Sequence, residues 1–284
     1  ATTEIYTLSL HDALPIFQEI TDFHDEGKEL RGLLDTLSEE DFQRRTLFKD
    51  WTVNDVILHL HCGDISAAAS VRDPAEYEAL RQQIMEARKG GLSMIAESRQ
   101  RFPDLKGKAL AARWWAQLET LCDLLAKKDP SARLNWAGPG MGVRMFTTAR
   151  QMETWAHGQE IYDVMGKDRV FHDRLKNIAV IGVKTFGWTF ANRKLPVPPQ
   201  APYVRVTGPS GEVWEWNDPA SDSSVTGDAV EFCQVVAQTR NIADTRLVVH
   251  GETARSWMEI AQCFAGPPND PPAKGTRYKA KVAA

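Results

Sequence analysis

The chain has 284 residues, of which 43% are hydrophobic and 25% charged, and a formal net charge of −4. That length supports a substantial core and favours two domains over one. No run of 18 or more apolar residues occurs, so no membrane-spanning helix is expected, and acidic and basic residues are interspersed without the concentrated basic face that nucleic-acid binding requires.

The first sixteen residues, ATTEIYTLSLHDALPI, resemble the in-frame translation of a DNA-sequencing adapter. They are apolar without a clean helical period and end at Pro15, where a good helix begins. Residues 1–16 are therefore read as an artefact and excluded from the fold argument. Without Glu4 and Asp12 the balance is 34 basic against 36 acidic residues, a net charge of −2. The reading predicts that Leu8, Leu10 and Ile16 take no part in the core.

From residue 17 a helical period takes over. Ile20, Phe23, Gly27, Leu30, Leu34 and Leu37 share one helix face. Thr52 is a candidate N-cap for a second helix, with Asp55 in its first turn and an apolar stripe of Val53, Val56, Ile57, Leu60 and Ala67. A third helical stretch runs from about Pro74 to Phe102, broken near Gly90-Gly91. Leu110, Trp114, Leu118, Leu121 and Leu125 mark another. NWAGPGMG, 135–142, reads as a loop, the helix QMETWAHGQEIYDVMG follows, and one more helix covers roughly 172–193.

LPVPPQAP, 195–202, is a stiff connector, after which the period changes. YVRVTG and EVWEW alternate as strands about the turn PSG. TGDAVEFCQVVAQT reads as a helix, TRLVVHG as a strand and TARSWMEIAQCF as a helix. GPPNDPPAKG opens a tail expected to be disordered. The expected organisation is a helical bundle over 17–193, a small α+β domain over 200–266 and a disordered tail over 267–284. The four cysteines, Cys62, Cys122, Cys233 and Cys263, are far apart in apolar contexts, which excludes zinc-ribbon and CxxC chemistry and fits a reducing cytosol.

The helix at 151–166 places two polar groups among the residues it should bury. On a helical wheel Glu153 and His157 lie about 40° apart, with Ala149, Ala156 and Val164 on the same side. A buried carboxylate needs a partner or a metal, and a carboxylate with an imidazole suits zinc, nickel, iron or manganese. Alone, Glu-x-x-x-His is short and common, and it more often stitches two helices by a hydrogen bond. DVILHLHCGD offers a third ligand, but His59 and His61 lie on opposite flanks of their helix's stripe, and periodicity does not choose between them.

DWTVNDVILHL followed by ARQMETWAHGQEIYDVMG resembles the metal-binding domain of the mycothiol-dependent maleylpyruvate isomerase family, within the DinB-like four-helix-bundle superfamily, and is most similar to a branch carrying ETWAHGQ. The resemblance spans about residues 17–266. It implies a mainly α fold: a DinB-like four-helix bundle followed by a small α+β domain likened to sterol-carrier folds. The family pattern Trp-x-x-x-Asp-x-x-x-His-Leu matches Trp51, Asp55, His59 and Leu60, so the resemblance selects His59 over His61. It implies His59, Glu153 and His157 as ligands of a divalent metal, zinc foremost. It also sets Arg240, at the end of VTGDAVEFCQVVAQTR, facing substrate carboxylates; a surface arginine at a helix C-terminus is the plain alternative. Asp64 and His61 are candidate outer partners of a ligand histidine. Glu160 and Asp163 are read first as an ion network neutralised by Arg150.

Two histidines and one glutamate leave open positions on a metal, which is the catalytic arrangement. Such a site can lower the pKa of bound water or hold a thiol as thiolate. The resemblance implies the second use, with mycothiol or another low-molecular-weight thiol as cosubstrate and a small electrophilic molecule as substrate. A metal-dependent hydrolase and a non-catalytic, metal-stabilised carrier are the alternatives. The expected setting is cytoplasmic, without nucleic-acid or membrane partners; the loop NWAGPGMGVRMF departs from characterised isomerases, which leaves the substrate unnamed.

Overall fold

The computed structural model describes residues 17–138 and 140–281. The reading of residues 1–16 therefore falls outside the described residues. The fold is mainly α with a small α+β part, as expected from the sequence.

Four long helices make the bundle: α1 (Phe17–Asp35), α2 (Val53–Arg72), α5 (Gly107–Ala126) and α6 (Val143–Met165). Each packs on two neighbours, in the cyclic order α1, α5, α2, α6. This order makes α2 and α6 adjacent, although 70 residues lie between them in the chain. The stripes foreseen from periodicity meet here: Phe23, Leu30, Leu34, Ile57, Leu60, Trp114, Leu118 and Leu121 are all fully buried. Two shorter helices, α3 (Pro74–Arg88) and α4 (Met94–Arg101), lie outside α2 and are separated at Gly90-Gly91 as expected.

The second core lies beyond α6. A four-stranded sheet, ordered β4-β3-β5-β6, is built from β3 (Tyr203–Thr207), β4 (Val213–Trp216), β5 (Ser224–Asp228) and β6 (Val248–His250). β3 pairs antiparallel with β4 and parallel with β5. Alternation puts Val204, Val206, Trp214 and Val225 on one buried face. That face shares a core with α7 (Lys176–Lys184), α8 (Phe186–Asn192), α9 (Ala229–Val236) and α10 (Glu252–Met258). A two-stranded ribbon pairs β1 (Arg133–Leu134) with β2 (Met141–Gly142), which takes the last two residues of the expected 135–142 loop.

Helix α6 stands between the two cores. Phe146, Ile161 and Tyr162 pack into the bundle, while Met152, Trp155 and Ala156 pack toward the sheet. It is therefore buried nearly all round, and its amphipathic pattern is weak because it has two insides. It ends at Gly166 in the left-handed conformation (φ 66°), which only glycine adopts at little cost.

Three local expectations differ from what is found. The helix expected over 172–193 is a 3₁₀ turn, Asp173–Leu175, followed by α7 and α8, which are separated at Thr185. The Thr185 hydroxyl bonds back to the carbonyls of Ile181 and Gly182, competing with the helix ladder. Side chains of α7 and α8 join the second core: a Cβ on Gly182 would meet Val236 Cγ2 at 2.8 Å, so the glycine lets α7 approach α9. The run TGD, assigned to a helix, is instead the end of β5, with Asp228 capping α9. β5 was illegible because its sequence, SVTGD, is rich in turn formers. Finally, residues 267–281, expected to be disordered from their proline content, are tied down by polar side chains. Gln238 Nε2 donates to Asn269 O at 2.8 Å and Asn241 Nδ2 to Pro272 O at 2.8 Å. Asp244 accepts the Gly275 N–H at 2.8 Å.

Candidate metal centre

The site begins with a hairpin. Arg45 and Thr52 bridge antiparallel, and the Trp51 N–H donates to Phe48 O at 2.9 Å. The residues between, Lys49 and Asp50, both have positive φ (50° and 59°), as tight hairpins require. Neither is glycine, so the turn carries strain of about 1–3 kcal/mol per residue. The strained turn brings Phe48 and Trp51 to the mouth of the α2–α6 interface. Helix α2 then starts at once: Thr52 Oγ1 accepts the Asp55 N–H, and the Asp55 carboxylate accepts the Thr52 N–H, a capping box. Arg99 of α4 holds the same carboxylate at 2.6 Å and 2.7 Å. Asp55 is thus an anchor for the start of α2, which sets the phase of His59 four residues later.

His59, Glu153 and His157 meet. His59 Nε2 lies 3.3 Å from Glu153 Oε2, and His157 Nε2 lies 3.5 Å from the same oxygen. All three ligand atoms fall within 4.8 Å of one another. Two physical readings meet in these distances, a hydrogen-bonded cluster and a ligand set for a cation. Charge-assisted hydrogen bonds are about 2.7–2.9 Å long. Two ligand atoms on one tetrahedral zinc, with bonds of about 2.0–2.1 Å, stand about 3.3–3.4 Å apart. The two observed separations lie at the outer reach of a hydrogen bond and also at the length of such an edge. The side chains keep 18%, 23% and 10% of their accessible surface in order, so an ion could enter and retain an open position.

Aromatic rings line the cluster. His59 and His157 meet edge to face at 4.6 Å between centroids. Trp51 lies 5.4 Å from His59 and stacks on His157 at 6.1 Å, and Phe48 meets His157 edge-on at 5.2 Å. Burial pushes the His59 imidazole down, against the pull of Glu153, so it stays neutral. Burial favours a neutral Glu153 too, but hydrogen bonds from both histidines overcome it and hold the carboxyl well below its usual range. For His157 burial again opposes the charge; the Glu160 carboxylate and then Glu153 outweigh it and raise the imidazole to about 9.

The remaining candidates are placed elsewhere. His61 is buried on the opposite flank of α2, 5.5 Å from the Phe102 ring, and neither ring nitrogen has a hydrogen-bond partner among the described residues. Asp64 holds neither histidine. It accepts from Arg150 Nε at 3.0 Å and Trp114 Nε1 at 3.1 Å. Arg150 therefore does not neutralise Glu160 and Asp163, as the sequence had suggested. Asp163 takes a two-pronged pair from Arg240, at 2.7 Å and 2.8 Å. Glu160 faces His157 Nδ1 at 3.3 Å and Arg277 Nη1 at 3.5 Å. Arg240, implied as a substrate contact, thus has its fork engaged with α6. Sequence reasoning missed Phe48 and Arg277, which lie outside any periodic stripe, and gave Trp51 no part beyond its motif. No local signal marks Arg277.

The cysteines supply no nucleophile. All four are buried. Burial raises every one of their thiols, that of Cys122 to about 12. Among the described residues no helix is long and apolar enough to cross a membrane.

Residues 23–162 match the family model of the mycothiol maleylpyruvate isomerase N-terminal domain. Over 249 residues the chain is 31% identical to two uncharacterized proteins of Mycobacterium tuberculosis, from strains CDC 1551 / Oshkosh and ATCC 25618 / H37Rv, covering 88% of this chain and 96% of theirs. Its fold is similar to crystal structures of the mycothiol-dependent maleylpyruvate isomerase and of a mutant of it. Both give a TM-score of 0.54 at 14% identity and cover 81% of this chain and 92% of the enzyme. At that identity the likeness shows the fold alone. The chain is therefore of one family with the two mycobacterial proteins, and its residues 23–162 form a mycothiol maleylpyruvate isomerase N-terminal domain.

Proposed function

We propose that the chain is a metal-dependent enzyme of the thiol-using isomerase or transferase type, with His59, Glu153 and His157 as ligands of one divalent cation, zinc foremost. The observation that carries this reading is the convergence of three ligand atoms from α2 and α6 to within 4.8 Å of one another, two of the separations, 3.3 Å and 3.5 Å, having the length of ligand edges. A divalent cation bound there supplies a Lewis acid that can hold a low-molecular-weight thiol, of the mycothiol kind, as its thiolate. The chain's own thiols are buried and hard to ionise, so the thiol comes from outside. Family membership supports the same cosubstrate.

The protein's part is to orient and to shelter. Phe48 and Trp51 cover one side of the histidines and limit water there. Arg240 bridges to α6 through Asp163, six residues beyond His157, and a carboxylate on a small electrophilic substrate would compete with Asp163 for its fork. The division of labour follows the two cores: the bundle holds the metal, and the α+β part, about 200–266, brings Arg240. Chelator-free purification followed by metal analysis, then turnover assays with and without mycothiol, tests the reading. Thiol-dependent turnover that His59→Ala abolishes supports it. Turnover without any thiol would make the protein a hydrolase instead.

A further inference from the structure

We propose that Glu160 and Arg277 are positioning residues for His157, so that the C-terminal segment 267–281 is a working part of the metal centre. This rests on the reading of His59, Glu153 and His157 as ligands.

An imidazole that binds a metal through one nitrogen presents an N–H on the other. A carboxylate accepting that N–H fixes the tautomer and the ring plane and makes the ligand more basic. His157 turns Nε2 toward Glu153 and His59, and its Nδ1 meets Glu160 Oε2 at 3.3 Å, three residues on along α6. Glu160 is buried, with 6% of its surface accessible, so its charge needs a counterpart. Arg150, on the same helix, is engaged by Asp64. The counterpart comes instead from the far end of the chain: Arg277 Nη1 approaches the second carboxylate oxygen of Glu160 at 3.5 Å.

Arg277 makes a second connection to the same ligand. Its guanidinium lies over the Phe48 ring, 5.0 Å from the centroid, and Phe48 meets His157 edge-on. The backbone on both sides of Arg277 is fastened. The Gly275 N–H donates to Asp244 at 2.8 Å, and the Ala280 N–H donates to Asp163 O at 2.8 Å. Asp163 lies six residues beyond His157 on α6, so the strand of tail carrying Arg277 runs beside the ligand helix. A decorative tail has no need of anchors flanking one arginine, whereas a tail that must aim a guanidinium at a buried carboxylate does.

Zinc and cobalt affinity in four proteins tests this: unaltered, Glu160→Gln, Arg277→Ala and the double variant, with circular dichroism confirming the fold of each. Glu160→Gln keeps the size but removes the charge, and should weaken metal binding by about 10- to 100-fold. Arg277→Ala should weaken it by up to about tenfold, the lower end of that range. Because Arg277 acts chiefly through Glu160, and only secondarily through Phe48, the loss in the double variant should fall well short of the sum of the two single losses. In the zinc-loaded protein, the His157 Nδ1 proton should exchange slowly with water, and faster in Glu160→Gln. Unchanged affinity in Glu160→Gln, or fully additive losses in the double variant, would overturn the proposal while leaving the ligand assignment standing. Should Glu160→Gln not fold, unchanged affinity and Nδ1 exchange in Arg277→Ala would overturn it. Failure of the unaltered protein to bind metal, or binding that survives His59→Ala, would remove the ligand assignment itself and the proposal with it.

Discussion

Helices α2 and α6 carry two polar clusters between them, and the two are resolved in opposite ways. In one, Asp64 is fully buried and meets Arg150 and the Trp114 indole. Gly63 makes room for that arginine, since a Cβ there would sit 2.8 Å from Arg150 Nη2. The cation is built into the chain. In the other, His59, Glu153 and His157 converge with part of their surface open and no arginine or lysine paired with any of the three among the described residues. The same physics, that a buried carboxylate must be neutralised, yields a sealed structural knot in one place and, in the function proposed above, a ligand set for an external cation in the other.

The largest effect expected from this contrast is on the sealed cluster. Arg150→Ala leaves the Asp64 charge buried without its counter-ion and should cost about 3–5 kcal/mol of stability, read from urea or guanidinium unfolding. Next comes the open cluster: zinc at a hundredfold excess over its dissociation constant should stabilise the protein by about 2.7 kcal/mol, and Glu153→Gln should remove that gain. A stabilisation that persists in Glu153→Gln would place the ion elsewhere. Third is pH. The His157 imidazole, raised to about 9 chiefly by Glu160 against the effect of burial, must lose its proton to bind a metal. Metal affinity should therefore rise by up to about tenfold per pH unit from 6.5 and level off above 9. In the metal-free protein the sign reverses. The raised pKa adds stability that is fully present below the unfolded value of 6.5 and is lost as pH climbs through about 9. The smallest effect is at the cap: Thr52→Ala should cost about 1 kcal/mol by loosening the start of α2.

The open cluster was legible in the sequence because helical geometry is short-range. Glu153 and His157 are one turn apart, so their convergence follows from the helix alone. Thr52 and Asp55 announce the start of α2 in the same way. Periodicity could not decide between His59 and His61, because both flank the apolar stripe; the tertiary fold decides, sending His59 to α6 and His61 against Phe102. Arg277 was out of reach for a different reason. It lies 117 residues from Glu160, in a proline-rich segment without a repeating pattern, and side-chain and backbone anchors on distant elements bring it back. Arg150 was misassigned because helical spacing names neighbours on one helix and is silent on a facing one. Asp64, across the interface, is the nearer acid.

The most direct test of the central claim is the metal content of the protein purified without chelator, measured beside that of His59→Ala. One divalent ion per chain in the first and none in the second is the result predicted here. Metal-free unaltered protein that takes up no added zinc or cobalt, or equal metal in both, would contradict it.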